Sequence, residues 1–370
     1  MNDDGSRGAA AGARVAVVGG GLSGLSAARE LVRAGTEVTV YERGRGPGGR
    51  AARRRAEGFE FDHGAQYFTA RTPDFTALTE DLLARGVAAQ WSPVLATARD
   101  GRLRPKTSST IRYVGVPGMS ALARDLAAGL DIRLGARVTG ARTSTSVGAG
   151  VRRRNGDTNG GWRLSISRAD PAGGASELEE TQGPFDALVL ACTPAQGLPL
   201  LDAEPAFAGR ARGLAFEPVW ALLLGFDGPP DIPADGIFID HPAVSWAARN
   251  SSKPGRGGGP AWVVHASSGW STGREEEPAD RIVSALLPAF EEAIGVRLPE
   301  PVYATAHRWR YARPAQSLGD GFLWDAELAV GMCGDWCNGA RVEGAFTSGL
   351  QLARHILDGT ADVDDGRPAQ

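Results

Sequence analysis

Residues 14–18, RVAVV, form a short β-branched apolar run that ends in GGGLSG. From Leu22 the apolar positions recur at Leu25, Ala28, Leu31 and Val32, and Gly35 closes the series. The run predicts a strand and the three-to-four spacing a helix, while the alternating TEVTVYE that follows predicts a second strand. Strand, glycine turn, helix and strand within about 30 residues make a βαβ unit.

Further helices are expected over 72–86, where Thr72 precedes Pro73, over 118–129, and over 277–295, with acids at its start and Gly295 at its end. Strands are expected over 136–143, 162–169, 185–192, 214–226, 236–247 and 261–266. The glycine-rich polar tracts 144–161 and 170–183 between the first three of these predict mobile hairpin loops. Seven of the nine tryptophans lie between Trp220 and Trp336, so the later part of the chain carries the aromatic weight expected of a pocket.

Composition narrows the classes. The 370 residues suffice for two domains, and a net charge of −3 leaves no basic field for nucleic acid or anionic lipid. Three cysteines make no disulfide framework and fit a reducing compartment. The first residues lack the order of a secretory signal, and WALLLGF, among the longest apolar runs, falls short of a membrane span. The expectation is a soluble, cytoplasmic protein; its oligomeric state is left open.

Gly19, Gly21 and Gly24 satisfy G-x-G-x-x-G between a strand and a helix, with Leu22 and Ser23 in the helix's first turn. Such a turn brings backbone amides and a helix N-terminus against a pyrophosphate. Glu42, beside Arg43, closes the second strand 18 residues past Gly24, where a carboxylate accepts ribose hydroxyls. A second glycine pair, Gly48 and Gly49, followed by Arg50, lets a loop fold back over the same pyrophosphate with its charge offset. That second clamp looks like the one found in flavoproteins with two dinucleotide-binding motifs.

CGDWCNGARVEGAFTSG, residues 333–349, admits a metal or a cofactor reading. Cys333 and Cys337 are spaced C-x₃-C with no histidine nearby, so no metal is expected. Apolar residues from Phe346 to Leu357 mark one helical face, which starts the helix near Val342, Glu343, Gly344 and Ala345. Its free amides suit the negative N1 and O2 of a reduced flavin, and Asp335 after Gly334 suits the ribitol. The segment resembles the C-terminal flavin motif of the same flavoproteins. Cys337 lies in the turn facing pyrophosphate and ribitol, so FAD is expected to be non-covalent.

Those motifs, together with DHGAQYFTAR (62–71), VSWAARNSSKPGR (244–256), HASSGWS (265–271) and AHRWRYARP (306–314), resemble the bacterial renalase family within the amine-oxidase superfamily. The likeness runs from about Arg14 to His355. It implies an α/β fold with a Rossmann-type FAD domain and a mixed-sheet substrate domain. It also implies oxidation of 2- and 6-dihydro-NAD(P) to NAD(P)⁺, with O₂ reduced to hydrogen peroxide. By the same likeness Val138 offers its backbone to the adenine, and Ala65 and Gln66 lie against the isoalloxazine. Ala51 and Ala52 stand where relatives carry a larger residue. The domains are assigned as 14–75, 130–200 and 325–358 for FAD and 76–129 and 201–324 for substrate, with 1–13 and 359–370 as flexible tails.

Hydride transfer needs a flat, dry pocket more than a base. Tyr67, Phe68 and Trp246 are candidate walls, as are Trp270, Trp309 and Tyr311, with core packing as the alternative for each. His265 and Gln66 are candidates for a substrate carboxamide, although His265 reads first as a structural histidine and second as a contact. Arg249, Lys253 and Arg256, in a Pro/Gly loop, read first as solvated charge and second as a phosphate site. Two other functions stay open: an amine oxidase or desaturating flavoenzyme, many of which use a lysine near the flavin, and a non-catalytic flavoprotein.

Overall fold

The computed structural model describes residues 12–144, 161–169 and 177–361. The chain divides into two compact units, each assembled from separate stretches. Met1–Gly49, Ala123–Leu214 and Gln316–Gln370 form one, and Arg50–Leu122 with Ala215–Ala315 form the other.

The first unit is built on a six-stranded sheet. Its strands run in the order Leu323–Asp325, Val330–Met332, Ala187–Leu190, Arg14–Val18, Glu37–Glu42 and Asp131–Leu134. All neighbours are parallel except the edge pair of Leu323–Asp325 with Val330–Met332. Central strands of a parallel sheet are covered on both faces, which is why VAVV (15–18) and ALVL (187–190) are apolar throughout. The helices Leu22–Arg33 and Val342–Ala361 pack together against this sheet. They approach so closely that a Cβ on Gly349 would overlap the backbone carbonyl of Ser23. A three-stranded antiparallel sheet, Ala136–Ser144, Gly161–Ala169 and Glu177–Phe185, completes the unit.

The second unit is built on a seven-stranded sheet ordered Tyr303–Pro314, Phe216–Gly225, Ala261–Ala266, Val244–Arg249, Gly236–Asp240, Leu95–Arg99 and Arg102–Pro105. Side chains alternate faces along a strand. Trp220, Leu222 and Leu224 therefore meet the helix Ala279–Ile294 through Leu286 and Phe290, while Ala221 and Leu223 meet Phe59 and Phe61 of the short strand Phe59–Phe61. This two-sided burial explains the unbroken apolar run WALLLGF.

Several expectations need correction. Residues 50–75, assigned above to the FAD domain, pack with the second unit because Phe59 and Phe61 join its core. Residues 201–214 and 316–324 go the other way: the Ala206 amide donates to Asp325 (2.7 Å), and Arg210 pairs with Asp320. The expected strand 236–247 is two strands that turn at His241-Pro242-Ala243, since proline cannot continue a ladder. Part of the expected loop 170–183 is the strand Glu177–Phe185. The last helix runs to Ala361, beyond the tail boundary at 359. The loop expectations for 145–160 and 170–176, and most of both tails, lie outside the described residues.

Among the described residues no helix is long and apolar enough to cross a membrane.

Candidate active site

In the first unit the glycine motif does what its spacing requires. Gly19 takes φ +112°, and a Cβ there would lie 2.6 Å from the Ala191 carbonyl oxygen. Gly21 has nothing within 4 Å of an ideal Cβ, so open space lies beside the start of the helix. The helix's first backbone bond runs from the Leu25 amide to the Gly21 carbonyl at 3.0 Å. The amides of Leu22, Ser23 and Gly24 thus lie outside the ladder, as helix geometry dictates.

Glu42 sits at the end of its strand and binds the backbone on both sides. Oε2 accepts from the Gly20 amide at 2.8 Å and Oε1 from the Gly44 amide at 2.5 Å. The Gly48 amide donates to the Gly20 carbonyl at 2.9 Å, so the second glycine segment is tied onto the first. A carboxylate has about four lone-pair sites, so two remain for ribose hydroxyls. Arg43 is exposed. Gly49 and Arg50 share a 3₁₀ turn, and Arg50 Nη1 donates to the Ala312 carbonyl at 3.1 Å.

At the far end of the sheet Gly334 precedes the short helix Asp335–Asn338, in which Asp335 is buried. The Gly334 amide donates to Ser348 Oγ (3.0 Å), and the Trp336 indole donates to the Cys192 carbonyl (3.2 Å). The last helix begins at Val342, with Glu343 buried in its first turn and the Ala345 amide donating to the Arg341 carbonyl. A Cβ on Gly344 would overlap the Gly339 carbonyl oxygen. Val138 lies beside a bulge at Val138/Gly140 in Ala136–Ser144. These side-chain-free turns beside open space, with their helix starts, fit an anionic dinucleotide. Burial pushes the thiols of Cys192 and Cys333 up to about 12, and that of Cys337 up as well, so all three are inert. Among the described residues no group of His, Cys, Asp and Glu gathers as a metal ion would need.

In the second unit one row crosses four strands. Trp246 pairs with His265, His265 with Ala221, and Ala221 with His307. Directly paired residues share a face, here the face that Phe59 and Phe61 cover further along. The chain leaving Phe61 runs across this row. His63 meets His307 edge-on at 4.5 Å and stacks on Trp309 at 5.1 Å. Gln66 reaches His265 (Nε2 to Nε2, 3.4 Å), and Tyr67 lies 5.8 Å from Trp246 and 6.1 Å from Trp91. The His63 carbonyl accepts from Trp309 Nε1 at 2.9 Å.

Beneath this segment lies a sealed ionic cluster. Asp62 Oδ2 meets Arg256 Nε at 3.1 Å, Arg256 Nη2 at 2.5 Å and Lys253 Nζ at 3.3 Å, and Oδ1 accepts from the Met119 amide at 2.9 Å. Lys253 also donates to Gln66 Oε1 (2.9 Å) and Asn250 Oδ1 (3.1 Å). None of the Asp62, Lys253 and Arg256 side chains is exposed. Burial pushes the Asp62 carboxyl up, but Lys253, Arg256 and the Met119 amide outweigh it and hold it below the usual range. Burial draws Lys253 down to about 8 against the pull of Asp62. It also takes His265 to about 4 and His63 to about 3, with the neighbouring histidines and Arg54 adding to the latter, so both imidazoles are neutral near neutral pH.

The structure therefore groups Gln66, Tyr67, Trp246, His265 and Trp309, with Ala65 held by its amide on the Arg50 carbonyl at 2.8 Å. Phe68 does not join them; it packs with Phe75 and Tyr113. Trp270 packs on the helix-facing core, stacked under Arg274. Tyr311 lies against Phe216. Arg249 donates to the Ile232 and Ala234 carbonyls beside Asp235. Lys253 and Arg256 are thus not solvated charge but are spent on buried acceptors, whereas Arg249 keeps about a third of its side chain exposed beside Asp235. Sequence reasoning missed His63, His307 and the role of Asp62. A usable signal was there: an acid inside the apolar run FEFDHG must find a buried cation.

A family model described as flavin containing amine oxidoreductase matches residues 96–357, and one described as NAD(P)-binding Rossmann-like domain matches 17–82. The carotenoid 3,4-desaturase of Haloarcula japonica is 48% identical over 54 residues, 15% of this chain and 11% of that protein. Protoporphyrinogen oxidase 2 of Arabidopsis thaliana is 42% identical over 74 residues, 20% of this chain and 15% of that protein. The chain thus matches only a small part of these relatives' lengths. A solved structure from Exiguobacterium sp. 255-15, provisionally described as a protoporphyrinogen oxidase, shares the fold at a TM-score of 0.70 and 15% identity. That likeness covers 93% of this chain and 98% of the other.

Proposed function

Since the chain belongs to the family of flavin containing amine oxidoreductases, we propose that it is a renalase-like oxidase that removes a hydride from 2- and 6-dihydro-NAD(P) isomers. FAD, if bound, would supply the hydride acceptor and the route by which the hydride and one proton from water convert O₂ to hydrogen peroxide. The glycine turns at Gly19–Gly24 and Gly48–Gly49, Glu42, Asp335 and the helix start at Val342–Ala345 would hold it without a covalent bond, and Val138 would meet its adenine.

The observation that carries this reading is that the second unit's row is aromatic and uncharged while neither lysine of the chain offers a free base beside it. Lys253 spends its three donors on Asp62, Gln66 and Asn250, and Lys106 is exposed over Phe238. Removing a hydride from a dihydropyridine leaves an aromatic cation and needs no proton acceptor. Tyr67, Trp246 and Trp309 supply flat faces that exclude water and tolerate the developing positive charge. His265 supplies a polar contact for the carboxamide.

A second reading, oxidation of an amine or desaturation of a metabolite, is favoured by the family match and by the desaturase and oxidase among the relatives. Anaerobic mixing with borohydride-reduced NAD⁺, which contains the 2-, 4- and 6-dihydro isomers, separates the two. Bleaching of the yellow protein that pure 4-dihydro-NAD does not reproduce, reversed by air with peroxide formed, establishes the first. No bleaching rejects it in favour of amines and other metabolites.

A further inference from the structure

Gln66 is a junction between the sealed cluster and the row. Lys253 is an ammonium, a donor with no lone pair, so the Gln66 atom it meets at 2.9 Å is the carbonyl oxygen. The Gln66 amide is thereby prevented from flipping, and its NH₂ faces the other way. One of its hydrogens goes to the Asp62 backbone carbonyl, and the other points at His265 Nε2 at 3.4 Å.

His265 Nε2 lies between two demands. It is 3.4 Å from the Gln66 NH₂ and 3.2 Å from the His63 carbonyl oxygen. If Nε2 carries the proton, it donates to His63, and the second Gln66 hydrogen is left facing another N–H. If Nε2 is bare, it accepts from Gln66, and the His63 carbonyl keeps the Trp309 indole as its donor. A buried N–H without an acceptor costs more than a carbonyl with one donor instead of two. The second arrangement leaves no N–H facing another N–H, and Nδ1–H is the one hydrogen left for a ligand or solvent. Nδ1 then bears the hydrogen; it has no partner among the described residues and is not sealed from solvent. Burial holds the ring neutral near neutral pH, so one nitrogen is always bare.

We propose that Lys253 is a positioning residue that acts through Gln66 to lock His265 in its Nδ1–H tautomer, so that the open side of the row presents a donor to a carbonyl oxygen on the substrate. Resting on the dihydronicotinamide reading, that oxygen is the one of the carboxamide. Asn250 supports the lock: its Oδ1 accepts from Lys253 and from the Asp62 amide (3.2 Å), while Nδ2 donates to the Glu60 carbonyl (2.7 Å).

The experiment is long-range ¹H–¹⁵N correlation on the full-length, flavin-loaded protein labelled at its histidines, with His265 assigned from H265N. The wild type is expected to show Nε2 bare and Nδ1 protonated, and a protonated Nε2 would overturn the proposal even if no variant folds. In K253M the Gln66 amide is free to turn its oxygen to His265, and the tautomer is expected to invert, whereas K253R, which still donates, retains it. An unchanged tautomer in a folded K253M would remove Lys253 from the role. Nicotinamide is then titrated beside pyridine. A shift of the Nδ1–H resonance with nicotinamide alone supports the carbonyl partner. Equal responses overturn the ligand assignment alone, since the dihydronicotinamide reading is decided by the bleaching experiment, and the tautomer result stands separately.

Discussion

Lys253 Nζ lies 3.3 Å from Asp62 Oδ2, and neither side chain is exposed to solvent. A single buried carboxylate thus faces two buried cations, because Arg256 bonds the same oxygen. Replacing Asp62 with Asn leaves both cations without their counter-charge. Breaking a buried pair costs about 3–5 kcal/mol, and the loss of D62N is expected in that range. Urea denaturation followed by tryptophan fluorescence measures it; a loss below about 1 kcal/mol, the size of a surface pair, would mean that water reaches the cluster.

Acid destabilises the second unit through its histidines. Burial lowers His265 from 6.5 to about 4 and His63 from 6.5 to about 3. Between those values the unfolded chain binds more protons than the folded one, so the stabilisation is complete above pH 6.5 and is lost as pH falls toward 4. At about 1.4 kcal/mol per pKa unit, His265 alone carries roughly 3 kcal/mol. The check is the free energy of unfolding at pH 7.5 and 4.5 for wild type and H265N, where the variant is expected to show the shallower dependence. Lys253 acts in another window: lowered from 10.5 to about 8, it adds stability as pH rises between those values.

Glu42 is expected to matter for cofactor affinity before it touches any ribose. Its two oxygens hold the Gly20 and Gly44 amides, one on each side of the turn. Hydrogen bonds to a charged group contribute about 1.5–3 kcal/mol each, so E42A is expected to weaken FAD binding by about tenfold or more. Fluorescence titration of flavin-stripped protein reads the dissociation constant, and an unaltered value would show that the turns hold their shape unaided.

Two alanine substitutions in the last helix have opposite expected signs. A Cβ on Gly349 would overlap the Ser23 backbone, so G349A must push the two helices apart at about 1–3 kcal/mol. Gly359 has nothing within 4 Å, and G359A is expected to stabilise by up to about 1 kcal/mol through helix propensity. Thermal melts of both variants, side by side, test the pair; matching shifts would deny the helix contact.

What was legible in the chain was what is local. The glycine turns, Glu42 and the start of the last helix are defined by spacings of a few residues, and each lies where that spacing implies. The Asp62 cluster was not legible, because its partners lie about 190 residues along the chain and the Pro/Gly setting of Lys253 resembles a surface loop. Tyr303–Pro314 was equally hidden: Arg308, Arg310 and Arg313 interrupt any apolar alternation, since this edge strand meets solvent and pairs outward with Glu276 and Glu217. Phe68 and Trp270 show the remaining ambiguity. An aromatic residue looks the same in sequence whether it lines a pocket or fills a core.

The chain has two lysines, and one is sealed. An amine-directed reagent therefore finds exposed Lys106 at once, but it reaches Lys253 only when the second unit opens. Acylation of this single site, followed by mass spectrometry, is a clock for that opening, with no engineered probe required.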